Sequence, residues 1–391
     1  MNTRCYSCDE VSDATRIRCD CGEPVWFDTD TTAFEWPTDD VRGVWRYASL
    51  LPAAPTDGLG WAAGNTPLLR TPRLDEYAGC TLWVKDEAEN PTGTFKDRGS
   101  AVAVAAAEAR DVNAVGTVSH GNMAMSTAAH AAATGLPCVV LVPDDISEKR
   151  LAAISQYEPE IIRVAGDYGK LYFDSLELGE ELGIEFVNSD VPLRVAGQKT
   201  VALELIEQFD GVPDAICLPV SSGGQASGVW KALRELKEAN LIDALPRLYF
   251  VQAANCDPIA EAFREGHEVR PIDPEPTAAY SIANANPPSG NRVLAAAAET
   301  DGAVVSVSEA AIHDATGNLA TKAGLCVEPS SAVALAGLRQ LAERGEVDAT
   351  DRVALILTGT GFKELDGAAT DAPSVPLAKL DEHLATVLGD T

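Results

Sequence analysis

Between Thr66 and Lys363, short β-branched runs alternate with Ala-rich stretches of helical length, and no other feature constrains this chain as strongly. Strand-like runs at 114–118, 138–142, 161–165, 215–220, 248–251 and 304–307 are followed by helical stretches at 123–134, 146–157, 168–182, 225–239, 258–265, 309–323 and 330–344, and a last strand lies at 352–357. A helix between successive strands forces them to run parallel, in sheets covered on both faces. The expected fold class is therefore α/β, with open, mostly parallel sheets. Such sheets bind ligands where strands end and helices begin, so those junctions are where chemistry is sought.

The junction at residues 90–99 reads Asn-Pro-Thr-Gly-Thr-Phe-Lys-Asp-Arg-Gly and feeds an Ala-rich helix expected to begin near Ser100. The N-terminal end of a helix disfavours a cation, so Lys96 is biased toward the neutral amine that imine formation requires. Taken alone, such a lysine would be an ordinary surface residue. Ser119-His120-Gly121-Asn122-Met123 follows a strand and opens a helix, where free amides form an anion site. Ser221-Ser222-Gly223-Gly224 occupies the same kind of junction, with two glycines that let the backbone close on a phosphate. Thr358-Gly359-Thr360-Gly361-Phe362-Lys363 ends the last strand. Asn188-Ser189-Asp190-Val191-Pro192-Leu193-Arg194 leads into Gly197-Gln198-Lys199-Thr200, and Arg194 offers a bidentate fork suited to a phosphate or, alternatively, to a surface salt bridge.

In this order the motifs resemble the pyridoxal 5'-phosphate (PLP) dependent enzymes of the tryptophan synthase β-like group. The 90–99 and 188–200 segments are most similar to threonine synthases. The resemblance runs from Gly64 to Lys363, with Gly64-Asn65-Thr66-Pro67-Leu68 as the entry motif and Lys85-Asp86-Glu87 ahead of the lysine turn. It implies the fold type II architecture of two open α/β lobes: a linker at 29–64, a catalytic unit at 65–370 with a smaller lobe at roughly 98–192 inserted in the larger, and a tail at 371–391. It implies PLP as a Schiff base on Lys96, with Asn122 at the cofactor's 3'-oxygen, Ser221, Ser222, Gly223 and Gly224 around its phosphate, and Thr358 facing the pyridine nitrogen. Ser119 and Asn122 would hold a substrate carboxylate, and Asn188 and Arg194 a substrate phosphate. The implied reaction takes O-phospho-L-homoserine and water to L-threonine and phosphate, Lys96 removing the Cα proton. His120 and Met123 replace small hydroxyl residues, Ser221-Ser222 stands for Gly-Asn, and Asp190 stands for Asn. These departures keep a serine/threonine dehydratase or a phosphoserine-using cysteate synthase in view, and a non-catalytic homologue is a third reading. His120 is either a proton carrier or a spacer. The resemblance also implies a homodimer.

Four of the nine cysteines fall in the first 21 residues, as Cys5 with Cys8 and Cys19 with Cys21. Two tight loops of paired thiolates can close a tetrahedral shell around Zn2+, structural because no position is left open. Reduced thiols without metal are the alternative. The arrangement resembles the zinc ribbon preceding the catalytic part of archaeal-type threonine synthases, so residues 1–28 are expected as a module folded by its metal. With 59 acidic against 30 basic residues the net charge is -29, which repels nucleic-acid phosphates. The charge is spread along the chain, as in a high-salt-adapted protein or an ordinary acidic one. There is no apolar run of about 20 residues to span a membrane, and residues 1–9 carry no leader pattern. The expectation is a soluble cytoplasmic protein whose partner is a small phosphorylated amino acid, with neither nucleic acid nor membrane.

Overall fold

The computed structural model describes residues 1–119, 121–166, 168–364 and 372–389, so the expectation for His120 lies outside the described residues. At the N-terminus β1 (Thr3–Cys5), β2 (Val11–Ser12) and β3 (Val25–Phe27) form a small antiparallel sheet ordered β2-β1-β3. After β4 (Leu68–Arg70) and β5 (Thr81–Asp86), the smaller lobe is built on β6 (Ala114–Val118), β7 (Cys138–Pro143), β8 (Glu160–Val164) and β9 (Ile184–Phe186). The larger lobe adds β10 (Ala215–Pro219), β11 (Arg247–Ala253), β12 (Ala303–Val307) and β13 (Arg352–Leu357) to β4 and β5.

The smaller sheet is ordered β8-β7-β6-β9 and is wholly parallel. The larger is ordered β12-β11-β10-β13-β5-β4, parallel except for β4 against β5. Every residue of β6 and of β10 is buried, which explains why neither alternates apolar with charged residues. From β6 the chain moves outward to β7 and β8, then returns to β9 on the opposite side. From β10 it moves out to β11 and β12 and returns to β13. Each return opens a crevice beside the strand ends. The segments after β6, β10 and β13 all line one cavity.

The helices Tyr168–Leu182 and Pro258–Glu265 fall where the sequence places them. The helix expected near Ser100 begins earlier, as Lys96–Ala109, which makes Lys96 its first residue. The stretch expected at 309–323 is an α-helix, Glu309–Asn318, that continues as a π turn, Leu319–Ala323. Two helices that the strand-helix alternation does not include, Pro192–Gln198 and Thr200–Gln208, follow the Asn188 segment. All seven residues of Pro192–Gln198 are buried, so no polar face is available to reveal a helical period. This helix packs on Lys96–Ala109 at glycine contacts. A Cβ on Gly197 would lie 2.1 Å from the Arg98 carbonyl oxygen, and one on Gly99 2.6 Å from Arg194 Cγ. The N-terminal module docks on the larger lobe through Tyr6 and Trp26, whose rings lie 5.9 and 5.3 Å from Trp230 in the helix Gly224–Glu238. Among the described residues no helix is long and apolar enough to cross a membrane.

Candidate active site

The lysine turn is held from every side. Gly93 adopts φ +71°, and a Cβ there would strike Thr360 Cγ2 at 2.6 Å. The Phe95 amide donates to the Thr358 carbonyl at 3.0 Å and the Thr360 amide to the Gly93 carbonyl at 2.9 Å, so the end of β13 clamps the turn. Asp97 accepts from the Thr92 amide (2.7 Å), the Thr92 hydroxyl (2.8 Å) and the Ser126 hydroxyl (2.5 Å). Arg98, fully buried, pairs with Glu87 at 2.6 Å and with Glu204 at 3.0 Å, and Glu204 also pairs with Lys85 at 2.6 Å. The Asn90-to-Gly99 string is thus a mechanical mount whose product is the position of Lys96.

The Lys96 side chain enters a cavity of about 1390 Å³ between the lobes. Burial, aided by the nearby positive charge of Arg194 and opposed by Glu328, brings its pKa down from 10.5 to about 7. Its amine is therefore substantially uncharged at neutral pH, as nucleophilic addition to an aldehyde demands. Across the cavity, Gly223 takes φ +91° and caps the helix Gly224–Glu238. A Cβ on Gly223 would lie 2.7 Å from the Ser289 carbonyl oxygen, and one on Gly224 2.2 Å from that of Ser189, so only glycines fit this backbone. The first amides of a helix lack intrahelical acceptors and favour an anion. Asn284 Nδ2 donates to Ser222 Oγ at 2.8 Å, and Ser221 and Ser222 both line the cavity. The buried side-chain amide nitrogen of Gln225, also in the lining, finds no partner among the described residues. A glycine cradle, hydroxyls, an unsatisfied donor and an uncharged lysine fit the phosphate and aldehyde of the PLP that the motifs imply.

Of the residues singled out from sequence, Lys96, Ser119, Asn122, Ser221, Ser222, Gly223, Gly224 and Thr358 all line this cavity. Asn188 and Arg194 do not, which corrects the expectation of direct phosphate contact for this arrangement. Both are fully buried behind the wall. Asn188 Oδ1 accepts from the Val118 amide at 2.9 Å and Nδ2 donates to Ser175 Oγ at 3.0 Å. Arg194 donates to the Val187 carbonyl (2.8 Å), Thr127 Oγ1 (2.8 Å), Ser100 Oγ (3.1 Å) and the carbonyl of Lys96 itself (3.4 Å). The burial of the helix Pro192–Gln198 turns the fork inward.

Glu328 and Ser331 escaped the sequence reading, and Lys363 was named in the strand-end motif without a role. Glu328, whose carboxyl is pushed up by burial against Lys363 and Asn122, accepts from Asn122 Nδ2 at 2.8 Å. Lys363 Nζ donates to Asn122 Oδ1 at 2.6 Å and to the Thr92 and Gly93 carbonyls at 3.1 and 3.3 Å. Ser331 Oγ lies 2.8 Å from the Thr358 hydroxyl and accepts from the Thr358 and Gly359 amides at 3.0 and 2.9 Å. The available signal was Glu328-Pro329 at a helix start, which marks a helix without showing what it faces.

In the N-terminal module the four cysteines converge. Their sulfurs all lie within 4.8 Å of one another, with Cys5–Cys21 at 3.6 Å, Cys8–Cys19 at 3.5 Å and Cys8–Cys21 at 3.8 Å. A Zn–S bond of about 2.3 Å makes a tetrahedral edge of about 3.8 Å, which these spacings match.

Residues 62–359 match the family described as pyridoxal-phosphate dependent enzyme. The chain is 35% identical to a curated threonine synthase of Methanocaldococcus jannaschii, covering 94% of both chains. It is 33% identical to a threonine synthase of Methanosarcina acetivorans over 98% of this chain and 96% of the relative. Among solved structures, a T.th. threonine deaminase superposes with a TM-score of 0.63 at 27% identity, over 79% of this chain and 94% of that one. With most of its motifs assembled around one cavity and 94–98% of its length matched by such relatives, the chain belongs to the pyridoxal-phosphate dependent enzymes, in the group that contains the curated threonine synthases.

Proposed function

We propose that the chain is a threonine synthase, converting O-phospho-L-homoserine and water to L-threonine and phosphate with pyridoxal phosphate on Lys96. The observation that carries this reading is a buried lysine, its pKa lowered to about 7, in the same cavity as a glycine cradle, in a chain 35% identical to a threonine synthase along 94% of its length. When bound, pyridoxal phosphate supplies an aldehyde for the substrate amine and a conjugated ring that takes up the electron pair left at Cα. Lys96 removes the Cα proton and acts as general acid and base at Cβ. A Cβ proton is removed and the C–O bond at Cγ breaks, phosphate leaving with the electron pair; Cγ then takes up a proton to become the methyl group, water adds its oxygen at Cβ with loss of a proton, and a proton is returned to Cα. Ser119 and the first amides of the helix Asn122–Thr134 take the substrate carboxylate. Lys149, Arg150 and Lys170 face the cavity and provide positive charge for the substrate phosphate. Arg194 is a positioning residue: it bonds the Lys96 carbonyl and its charge helps keep the amine neutral. Thr358 lines the cavity, and its hydroxyl would face the ring nitrogen of bound pyridoxal phosphate; a neutral hydroxyl there would not hold that nitrogen protonated as a carboxylate would, and electron withdrawal would be moderated.

The test is a substrate panel of phosphohomoserine, phosphoserine and threonine, reading phosphate and keto acid separately. Phosphate and threonine from phosphohomoserine are expected. Keto acid from threonine with phosphohomoserine inert would instead favour a dehydratase, the reading suggested by the threonine deaminase likeness.

The lowered pKa of Lys96 has a sign that can be checked. Only the unprotonated amine adds to the aldehyde, so reloading of cofactor-free protein is suppressed below the folded-state pKa and released above it. With that pKa at about 7, the reactive fraction rises about tenfold between pH 6 and 8 and then levels off. Stopped-flow absorbance at increasing pH should show this plateau. A rate still climbing toward pH 10 would mean an unperturbed lysine.

The four cysteines fit a structural Zn2+. Metal analysis of the purified chain is expected to find about one Zn2+ per chain, lost in Cys8→Ser with a change in the fluorescence of Trp26 and Trp230 beside the module. Metal content indifferent to Cys8→Ser would leave the reduced-thiol reading.

A further inference from the structure

Arg18 immediately precedes Cys19, yet its side chain leaves the module and ends in the body of the enzyme. Its Nη2 donates to the Pro288 carbonyl at 3.0 Å and reaches Asp190 Oδ2 at 3.4 Å, and its guanidinium lies 5.7 Å from the ring centroid of Phe173. Pro288 and Phe173 both line the cavity, Phe173 from the helix Tyr168–Leu182 of the smaller lobe and Pro288 from the segment ahead of the helix Gly290–Glu299 of the larger. Asp190 is buried between them: it accepts from the Tyr172 hydroxyl, which lines the cavity from the smaller lobe, and from Ser289 Oγ of the larger lobe at 2.6 Å. Ser289 stands directly behind the glycine cradle, its amide donating to the Ser222 carbonyl at 3.0 Å. Arg292 completes the path back, donating to Ser289 Oγ at 2.9 Å and to the Val25 carbonyl of β3 at 3.3 Å.

We infer that Arg18 and Asp190 are positioning residues that make the cysteine module a clamp on the substrate cavity, holding the Tyr172–Phe173 wall of the smaller lobe against the Ser289 support of the cradle. The charge type at 190 is part of the argument. Three donors, the Tyr172 hydroxyl, the Ser289 hydroxyl and Arg18 Nη2, converge on this side chain, and a carboxylate accepts from all of them. Asparagine would turn an amide N–H toward a donor. The cysteine loop matters because Cys19 fixes the backbone from which Arg18 projects, so the grip on the cavity depends on the state of the module. A device that only braces the fold would need neither a contact to each lobe nor an acceptor at their junction.

The inference rests on the cavity being the substrate site, and its test contains an arm that does not. Arg18→Met, Arg18→Lys and Asp190→Asn are prepared as holoenzymes and compared with the parent for metal content and bound cofactor. Hydrogen exchange is followed in the helix Tyr168–Leu182 and in residues 284–292. Arg18→Met and Asp190→Asn are expected to exchange faster in those two segments alone with metal retained, and Arg18→Lys to recover part of the protection. With phosphohomoserine, KM is expected to rise about tenfold and kcat to change less than about threefold, the pattern of weakened binding in both ground and transition states. The double variant Arg18→Met/Asp190→Asn is expected to be no worse than the poorer single one, because both cut one path. Unchanged exchange in Arg18→Met, or effects that add fully in the double variant, overturns the inference. If the parent does not turn over phosphohomoserine, the proposed reaction fails while the exchange arm still decides the clamp.

Discussion

Lys96→Ala is expected to lower turnover by at least about 10^4-fold while leaving a folded protein that still takes up pyridoxal phosphate without a covalent bond. Two roles disappear with one amine: the nucleophile that joins the aldehyde, and the base and acid at Cα and Cβ. What remains is the cradle at Gly223 and Gly224, the Ser222–Asn284 pair and the Asn122 amide, which is bonded to Glu328 and Lys363. Cofactor released on denaturation should therefore stay near the parent amount, whereas borohydride should fix none to the chain. Borohydride labelling that persists in Lys96→Ala moves the chemistry to another residue. Parent protein that binds no cofactor revives the non-catalytic reading.

The second large effect is on stability. Arg98→Met replaces the guanidinium by a side chain of similar length and leaves Glu87 and Glu204 buried with their carboxylates short of a partner. Breaking a buried ion pair by removing one member costs about 3–5 kcal/mol, most of it the charge left behind. Lys85 still serves Glu204, but Glu87 keeps only neutral donors, Thr66 Oγ1 at 2.6 Å and Asn90 Nδ2 at 3.1 Å. Denaturant unfolding should show the loss, and because Arg98 follows Lys96 by two residues on the same helix, cofactor affinity should fall with it. Adding Glu87→Gln to Arg98→Met should recover part of the stability, since it neutralises the stranded charge. A double variant no more stable than Arg98→Met places the cost in lost packing instead.

Why some of this site was readable in advance and some was not follows from what each residue answers to. Gly93 and Gly223 are required locally by their positive φ, a constraint met within each turn, whereas the close approach that excludes a Cβ at Gly224 comes from the distant Ser189 carbonyl. Lys96 was legible because its whole decad serves to mount it. Asn188 and Arg194 misled because their type suits an anion, while their direction is set by a helix buried on all sides whose period leaves no trace in the sequence. Glu328, Ser331 and Lys363 lie more than 200 residues beyond Asn122 and Lys96; the return of β13 to the centre of the sheet brings Lys363 to the cavity, and the pairing of Val327 with Thr360 and of Ser331 with Thr358 sets Glu328 and Ser331 beside the end of that strand.

By itself the sequence determined the class of fold, the lysine turn and the glycine turn at 221–224, because strand-helix alternation and positive-φ turns are governed by local sterics and burial. Tertiary structure alone decided that Arg194 serves Lys96 from behind, that Glu328 and Lys363 flank Asn122, and that Arg18 reaches Asp190. These depend on which way a buried side chain is turned by the element packed against it, and long-range packing sets that direction where no short stretch of residues can encode it.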